Sequence, residues 1–169
     1  MSRFKIMALI ALFTFALGLA LAGDAVAGEK MKGRCNWWTV KWEQIEVGDQ
    51  EGHVFAIWEG KGIGANKEGK SFHDGWIEWS SSLNDQNLKT GVGTAHGYEI
   101  VTDPDGDKIF VSWEARWDPT TGKLKGTHDI VNGTGKWEGI RSKGTMAAHM
   151  VGQGQFVSDW EMDIEFPRR

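Results

Sequence analysis

One cysteine, three prolines and a single tyrosine, with no cluster of basic residues, already restrict what this 169-residue chain can be. A lone Cys35 rules out an intrachain disulfide. Lys32-Gly33-Arg34 before it lacks the small and apolar residues of a lipoprotein signal. In an oxidising compartment such a thiol is buried, reactive or paired with another chain; its place at the start of a strand-like run points to burial. Without arginine clusters or lysine runs, and with a formal charge of −4, the chain lacks the electropositive footprint of a nucleic-acid partner. The prolines sit in turns and near the C-terminus, so no strand loses a ladder donor to one.

The one long apolar run lies at the start. Arg3 and Lys5 precede an apolar stretch from Ile6 to Ala22, and the small-x-small sites Ala20-Leu21-Ala22 and Ala25-Val26-Ala27 follow. That order of parts predicts a secretory signal cleaved after Ala27, hence a secreted or periplasmic protein. Cleavage would remove Arg3, Lys5 and Asp24 and take the net charge to −5. No later segment is long and apolar enough for a spanning helix, which needs about 20 residues, so no membrane association is expected after cleavage. Residues 28–169 form a single domain, large enough to hold a core without disulfides.

Strand periodicity dominates that domain. Phe156, Ser158, Trp160, Met162, Ile164 and Phe166 alternate with Val157, Asp159, Glu161, Asp163 and Glu165. Ile109, Val111, Trp113, Ala115 and Trp117 alternate likewise with Lys108, Phe110, Ser112, Glu114 and Arg116. Turn signals separate the runs: Asp103-Pro104-Asp105-Gly106, Asp118-Pro119-Thr120-Thr121-Gly122, Asn66–Gly69, Asn84–Asn87 and Asn132–Gly135. Eight strands are expected, near 35–47, 51–63, 70–82, 88–102, 107–117, 122–131, 138–150 and 154–166. Their length favours an all-β, eight-stranded antiparallel up-and-down β-barrel, with a β-sandwich as the alternative. Gly60, Gly62 and Gly64 on one strand, and Gly91, Gly93 and Gly97 on another, allow tight coiling or open room for a ligand.

All ten tryptophans fall in the domain. Each can bury roughly 150–250 Å², an upper bound of about 4–6 kcal/mol at about 25 cal/mol per Å². A small barrel has limited interior, and the neighbours Trp37 and Trp38 must face opposite ways. An aromatic-lined cavity and a self-association surface are the functional expectations, beside a merely bulky core.

The segment Asn132-Gly133-Thr134-Gly135-Lys136-Trp137-Glu138-Gly139-Ile140-Arg141-Ser142-Lys143-Gly144-Thr145 resembles the glycine-rich GGTGxFxGxxGxG hairpin of the allene oxide cyclase and dirigent barrels and their bacterial relatives. Asn132 stands where a first glycine is common and Trp137 where phenylalanine is common. Ser142-Lys143 occupies the place where another glycine often falls. The resemblance implies a small barrel, often trimeric, that holds a small hydrophobic ligand. It also implies an activity class, cofactor-free cyclisation or the guiding of phenoxy-radical coupling. No catalytic residue of either group carries over to a position here.

If the Phe156–Phe166 apolar face looks inward, the expected interior also holds His96, Tyr98 and Ile100 from 88–102, and Leu124, Gly126, His128 and Ile130 from 122–131. It further holds Phe55, Ile57 and Glu59 from 51–63, and Asp74, Trp76 and Glu78 from 70–82. A one-residue slip in register reverses any of these sets. Glu59, His96 and His128 are the candidate acid–base groups, since a buried carboxyl beside a histidine can move protons. Trp76, Glu78, Tyr98, Trp113 and Trp160 are the candidate ligand-binding residues. His53, His73, His96, His128 and His149 show no metal-binding spacing, and no cofactor fingerprint occurs, so neither metal nor cofactor is expected. The acidic stripe Asp159, Glu161, Asp163 and Glu165 reads as a solvated face.

Overall fold

The structure, a computed structural model, describes residues 28–68 and 72–167; the expected export signal lies outside the described residues. Eight strands follow one another around a closed antiparallel barrel: β1 (Glu29–Glu46), β2 (His53–Glu68), β3 (Ile77–Asn87), β4 (Val92–Thr102), β5 (Lys108–Asp118), β6 (Lys123–Gly133), β7 (Arg141–Gly152) and β8 (Gln155–Glu165). Closure of β1 on β8, from Glu29↔Ile164 to Trp38↔Gln155, leaves a barrel and not the sandwich. No helix among the described residues is long and apolar enough to cross a membrane.

The barrel closes because large and small side chains alternate across its interior. Trp160 lies over Gly33, Trp58 over Gly60, Trp37 over Gly62 and Trp113 over Gly97. A Cβ at these glycines would stand 2.1, 2.3, 2.8 and 2.7 Å from the respective rings, closer than atoms pack. Glycine is what lets four indoles share so narrow a tube. That pairing also fixes register. Gly97 must face inward to receive Trp113, which turns Ala95, Glu99 and Val101 inward and His96, Tyr98 and Ile100 out. On β2 the inward glycines carry Val54, Ala56 and Trp58 with them, so Phe55 and Ile57 face solvent. The expected inward sets on these two strands are therefore reversed, whereas those on β5, β6 and β8 hold.

Two expected turns are also displaced. Asn84–Asn87 is the end of β3, with Asn84 and Gln86 buried. The connection falls at Leu88–Gly91, where Asn87 Oδ1 accepts from the backbone N–H groups of Lys89 and Thr90, both at 3.0 Å. β2 runs through Asn66 to Glu68, and β3 begins at Ile77 and not near residue 70. Phe72, His73 and Trp76, read as strand, instead fold inward from the connecting loop.

These inward residues plug one end. Phe72 packs on Trp76, Trp137 and Phe166 with ring centroids 5.0, 5.6 and 5.6 Å apart. Trp137 arrives from a short 3₁₀ turn, Gly135–Trp137, inside the glycine-rich hairpin, and donates its indole N–H to Asp103 Oδ2 at 2.8 Å. Above the plug Met31, Val101, Ile109, Val111, Ile130, Trp160, Met162 and Ile164 form the main apolar core. A second, smaller cluster of Ala95, Trp113, Ala115, Leu124 and Ala148 lies towards the opposite end.

The weakest seam is between β6 and β7, paired only from Leu124↔Ala148 to Thr127↔Thr145. Beyond it side chains take over the ladder: Ser142 Oγ accepts from Ile130 N–H at 2.8 Å and Asp129 Oδ1 from Gly144 N–H at 2.9 Å. Outside, the acidic stripe of β8 is matched by cations on β1. Arg34 donates twice to Asp159, at 2.7 and 2.9 Å, and Lys30 lies 2.6 Å from Glu161. Hydrogen bonds from Arg34, with help from Lys67, hold the Asp159 carboxyl down at about 2.

Candidate functional site

The end opposite the plug is open. Trp37, Trp42, Trp58, Trp113, Trp117 and Phe156 surround a pocket there with a cavity volume of about 70 Å³. Ser80, Ser82 and Asn84 of β3 form one polar wall, and Glu99 and His128 reach its floor. Trp58 stands edge-on to both Trp37 and Phe156, with centroids 6.0 and 5.9 Å away. The indole N–H groups of Trp37, Trp58 and Trp113 are engaged by Ser158, Thr39 and Ser80.

Between pocket and plug lies a buried layer of ionisable side chains from five parts of the chain. Glu78 (β3) is fully buried and forms an ion pair with His73 of the β2–β3 loop. Glu99 (β4), also buried, has Oε2 3.3 Å from His128 Nε2 (β6). Cys35 (β1), 1% exposed, completes the layer. His73 is the one described non-glycine residue with a positive φ, +80°. Its ring rests against Gly64, where a Cβ would come within 2.5 Å of it. Such strain at a buried residue persists only where the surroundings impose it; here the reward is a counter-charge for Glu78.

The charges of this layer follow from burial and proximity. Burial alone would push Glu78 up and His73 down, but their mutual attraction reverses both, so Glu78 is lowered and His73 raised. Glu99 goes the other way. Burial raises it, the Glu78 charge adds to the rise, and His128 only partly offsets them, leaving it at about 7. Burial, with Glu78 and Glu99 nearby, also drives the Cys35 thiol far upward. That thiol is a packed core group with no thiolate character, as its position in the sequence suggests.

Of the residues singled out from sequence, Glu78, His128, Trp113 and Trp160 share the interior. Trp113 and His128 line the pocket, and Trp160 lies below it with its ring 5.3 Å from His73. Trp76 belongs to the plug and does not line this pocket. Three assignments are corrected by the register described above. Glu59 lies outside the pocket, its carboxylate 3.8 Å from the Lys41 amine; His96 is exposed; and Tyr98 is 62% exposed on the outer surface. Sequence reasoning missed Glu99, His73 and the pocket-lining Trp37, Trp42, Trp58 and Trp117. The signal for Glu99 was Gly97 two residues before it. Among the described residues no three His, Cys, Asp or Glu side chains are placed to hold a metal ion.

Fold and site together define a class: a small up-and-down barrel, plugged at one end, with a one-mouthed tryptophan pocket over a buried carboxyl–imidazole layer. No known protein family matches the chain, and no curated protein is similar to it.

Proposed function

We propose that the protein is exported and binds a small hydrophobic or aromatic molecule in its open, tryptophan-lined pocket. The observation that carries this reading is the pocket itself. Five tryptophans stay beside open space instead of filling the barrel, and small-molecule sites are typically concave, mostly apolar and fitted with a few fixed polar groups. A barrel packed solid by its own side chains would have pointed to an interaction protein. Kinship with the allene oxide cyclase and dirigent barrels is supported by the glycine-rich hairpin and by the strand order. Export is supported by the leader-like residues 1–27.

A titration of tryptophan fluorescence with a neutral naphthalene probe tests the reading. Quenching with saturable, micromolar affinity is expected. Ala148→Phe, which fills the pocket from β7, should weaken binding about tenfold or more (about 1.4 kcal/mol or more). Equal affinity in the two proteins would place the probe elsewhere.

A second reading is favoured by one observation, the buried Glu99 carboxyl at about 7 beside His128 on the pocket floor. A carboxyl poised near neutrality in an apolar cavity can donate and accept protons, which fits a cofactor-free cyclase or isomerase. On that reading the acid–base pair is Glu99 and His128, not Glu59 and His96. Glu99→Gln would then abolish turnover while substrate still binds, and full turnover by the variant would remove the catalytic reading.

Self-association is supported by the outer face of β2–β4. Phe55, Ile57, Ile63, Ile77, Leu83, Tyr98 and Ile100 are exposed there on neighbouring strands, and contiguous apolar patches of this kind usually meet a partner. We take the partner to be a second copy, because the face is continuous across three paired strands and β-barrels of the resembled family are oligomeric. Light scattering should give a dimer or trimer mass, and Ile77→Lys with Tyr98→Glu should reduce it to the monomer's. A monomeric wild type would contradict this.

A further inference from the structure

The pocket presents ring faces and acceptors, and most of its indole donors are already engaged, the Trp117 N–H being the exception. The N–H groups of Trp37, Trp58 and Trp113 are spent at 3.0, 2.9 and 3.2 Å on protein oxygens. The Ser80 hydroxyl donates to the Tyr98 carbonyl at 3.2 Å, and Asn84 Nδ2 donates to Ser82 Oγ at 3.1 Å. At the floor stands a carboxyl group. The titratable groups around Glu99 are Glu78 from β3, His73 from the β2–β3 loop, His128 from β6 and Cys35 from β1. His73 is committed to Glu78. His128, at 3.3 Å, is therefore the single cation-forming partner left to Glu99, and the pocket side of that carboxyl carries none.

Resting on the binding reading above, we propose that the pocket is selective for organic amines, the ammonium head against Glu99 and the apolar body between the tryptophan rings. An ammonium group supplies what the floor lacks, a positive charge that also donates hydrogen bonds to the Glu99 carboxyl. Tryptophan faces attract cations through their quadrupole, more strongly where water is excluded. A carboxylate ligand meets the reverse at the floor: the Glu99 carboxyl with the Glu78 charge behind it, and no cation but His128 to offset them. The formal charge of −4 further favours the approach of cations. The acceptor-rich floor thus discriminates by charge as well as by shape.

Calorimetric titrations with 2-phenylethylamine, 2-phenylethanol and 3-phenylpropionate, three probes with closely similar bodies, test the proposal. At pH 8 the amine should bind about tenfold more tightly than the alcohol, the effect of one charge-assisted hydrogen bond, and the carboxylate most weakly. Glu99→Gln should lower the amine to the alcohol's level. Between pH 6 and pH 8 the amine's affinity should rise several-fold in the wild type, as Glu99 sheds its proton while the amine keeps its own; in the variant it should stay flat. Tightest binding of the carboxylate, or equal binding of amine and alcohol, overturns amine selectivity and leaves the pocket reading intact. No binding of any of the three overturns both.

Discussion

Glu99→Gln should stabilise the protein in alkaline solution, raising the melting temperature on the order of 10 °C at pH 8–9 and leaving it nearly unchanged near pH 4.5. The sign follows from linkage. Glu99 sits at about 7 in the fold against an ordinary 4.5, so the unfolded chain gives up this proton more readily. Below about pH 4.5 the carboxyl is neutral in both states and costs nothing. As pH rises from there to about 7 the unfolded state is progressively favoured, and above 7 the cost is constant at about 3 kcal/mol. Glutamine keeps the shape and removes the titration. For a domain of this size, 3 kcal/mol corresponds to roughly 10 °C. Thermal melts of both proteins from pH 4.5 to 9 give the curve. Parallel curves would mean that Glu99 is not held neutral by its surroundings.

His73→Ala should have the opposite effect, a loss of about 3–5 kcal/mol at pH 7, the usual cost of leaving one member of a buried ion pair alone. Glu78 is fully buried and His73 is its counter-ion. Backbone strain changes little in the comparison, since alanine, like histidine, carries a Cβ at φ +80°. Adding Glu78→Gln to His73→Ala should recover part of the loss, because no charge then remains to be stranded. Urea denaturation of the single and double variants reads both values. A His73→Ala protein as stable as the wild type would show that Glu78 is not charged in the fold. The pH dependence of this pair complements that of Glu99. The lowered Glu78 contributes stability above about pH 4.5 that is lost as pH falls through its folded value. The raised His73 contributes stability below about pH 6.5 that is lost as pH climbs through its own.

The strand count, the antiparallel order and the inward faces of β5, β6 and β8 were legible because alternation there is nearly regular: from Ile109 to Trp117 and from Phe156 to Ile164 only Phe110 and Val157 put an apolar group on the outer side. On β2 and β4 the same rule misleads. Several of their interior positions are glycine or alanine, and at Gly60, Gly62 and Gly97 a tryptophan ring occupies the space a side chain would take. Their larger residues, Phe55, Ile57 and Tyr98, are on the outside, where the exposed apolar face lies. A rule that ranks positions by hydrophobicity thus selects the wrong face. The glycines themselves held the answer, since Gly62 and Gly97 mark the inward face on which Trp58 and Glu99 also lie. The polar end of β3 was mistaken for a turn because Asn84 and Gln86, buried beside the pocket and not at a solvent tip, have turn-like composition. Nothing local announces His73, whose role arises only when a loop folds back across the barrel to meet Glu78.

A small-molecule site should be occupied in the protein's natural setting. Native mass spectrometry of the protein, purified from its natural compartment, measures that directly. The account predicts an added mass, of a size for one small organic molecule per chain, that is lost on denaturation and absent from Ala148→Phe. Wild type and Ala148→Phe proteins that both appear at the bare chain mass, and that both fail to take up added naphthalene probe, would contradict it.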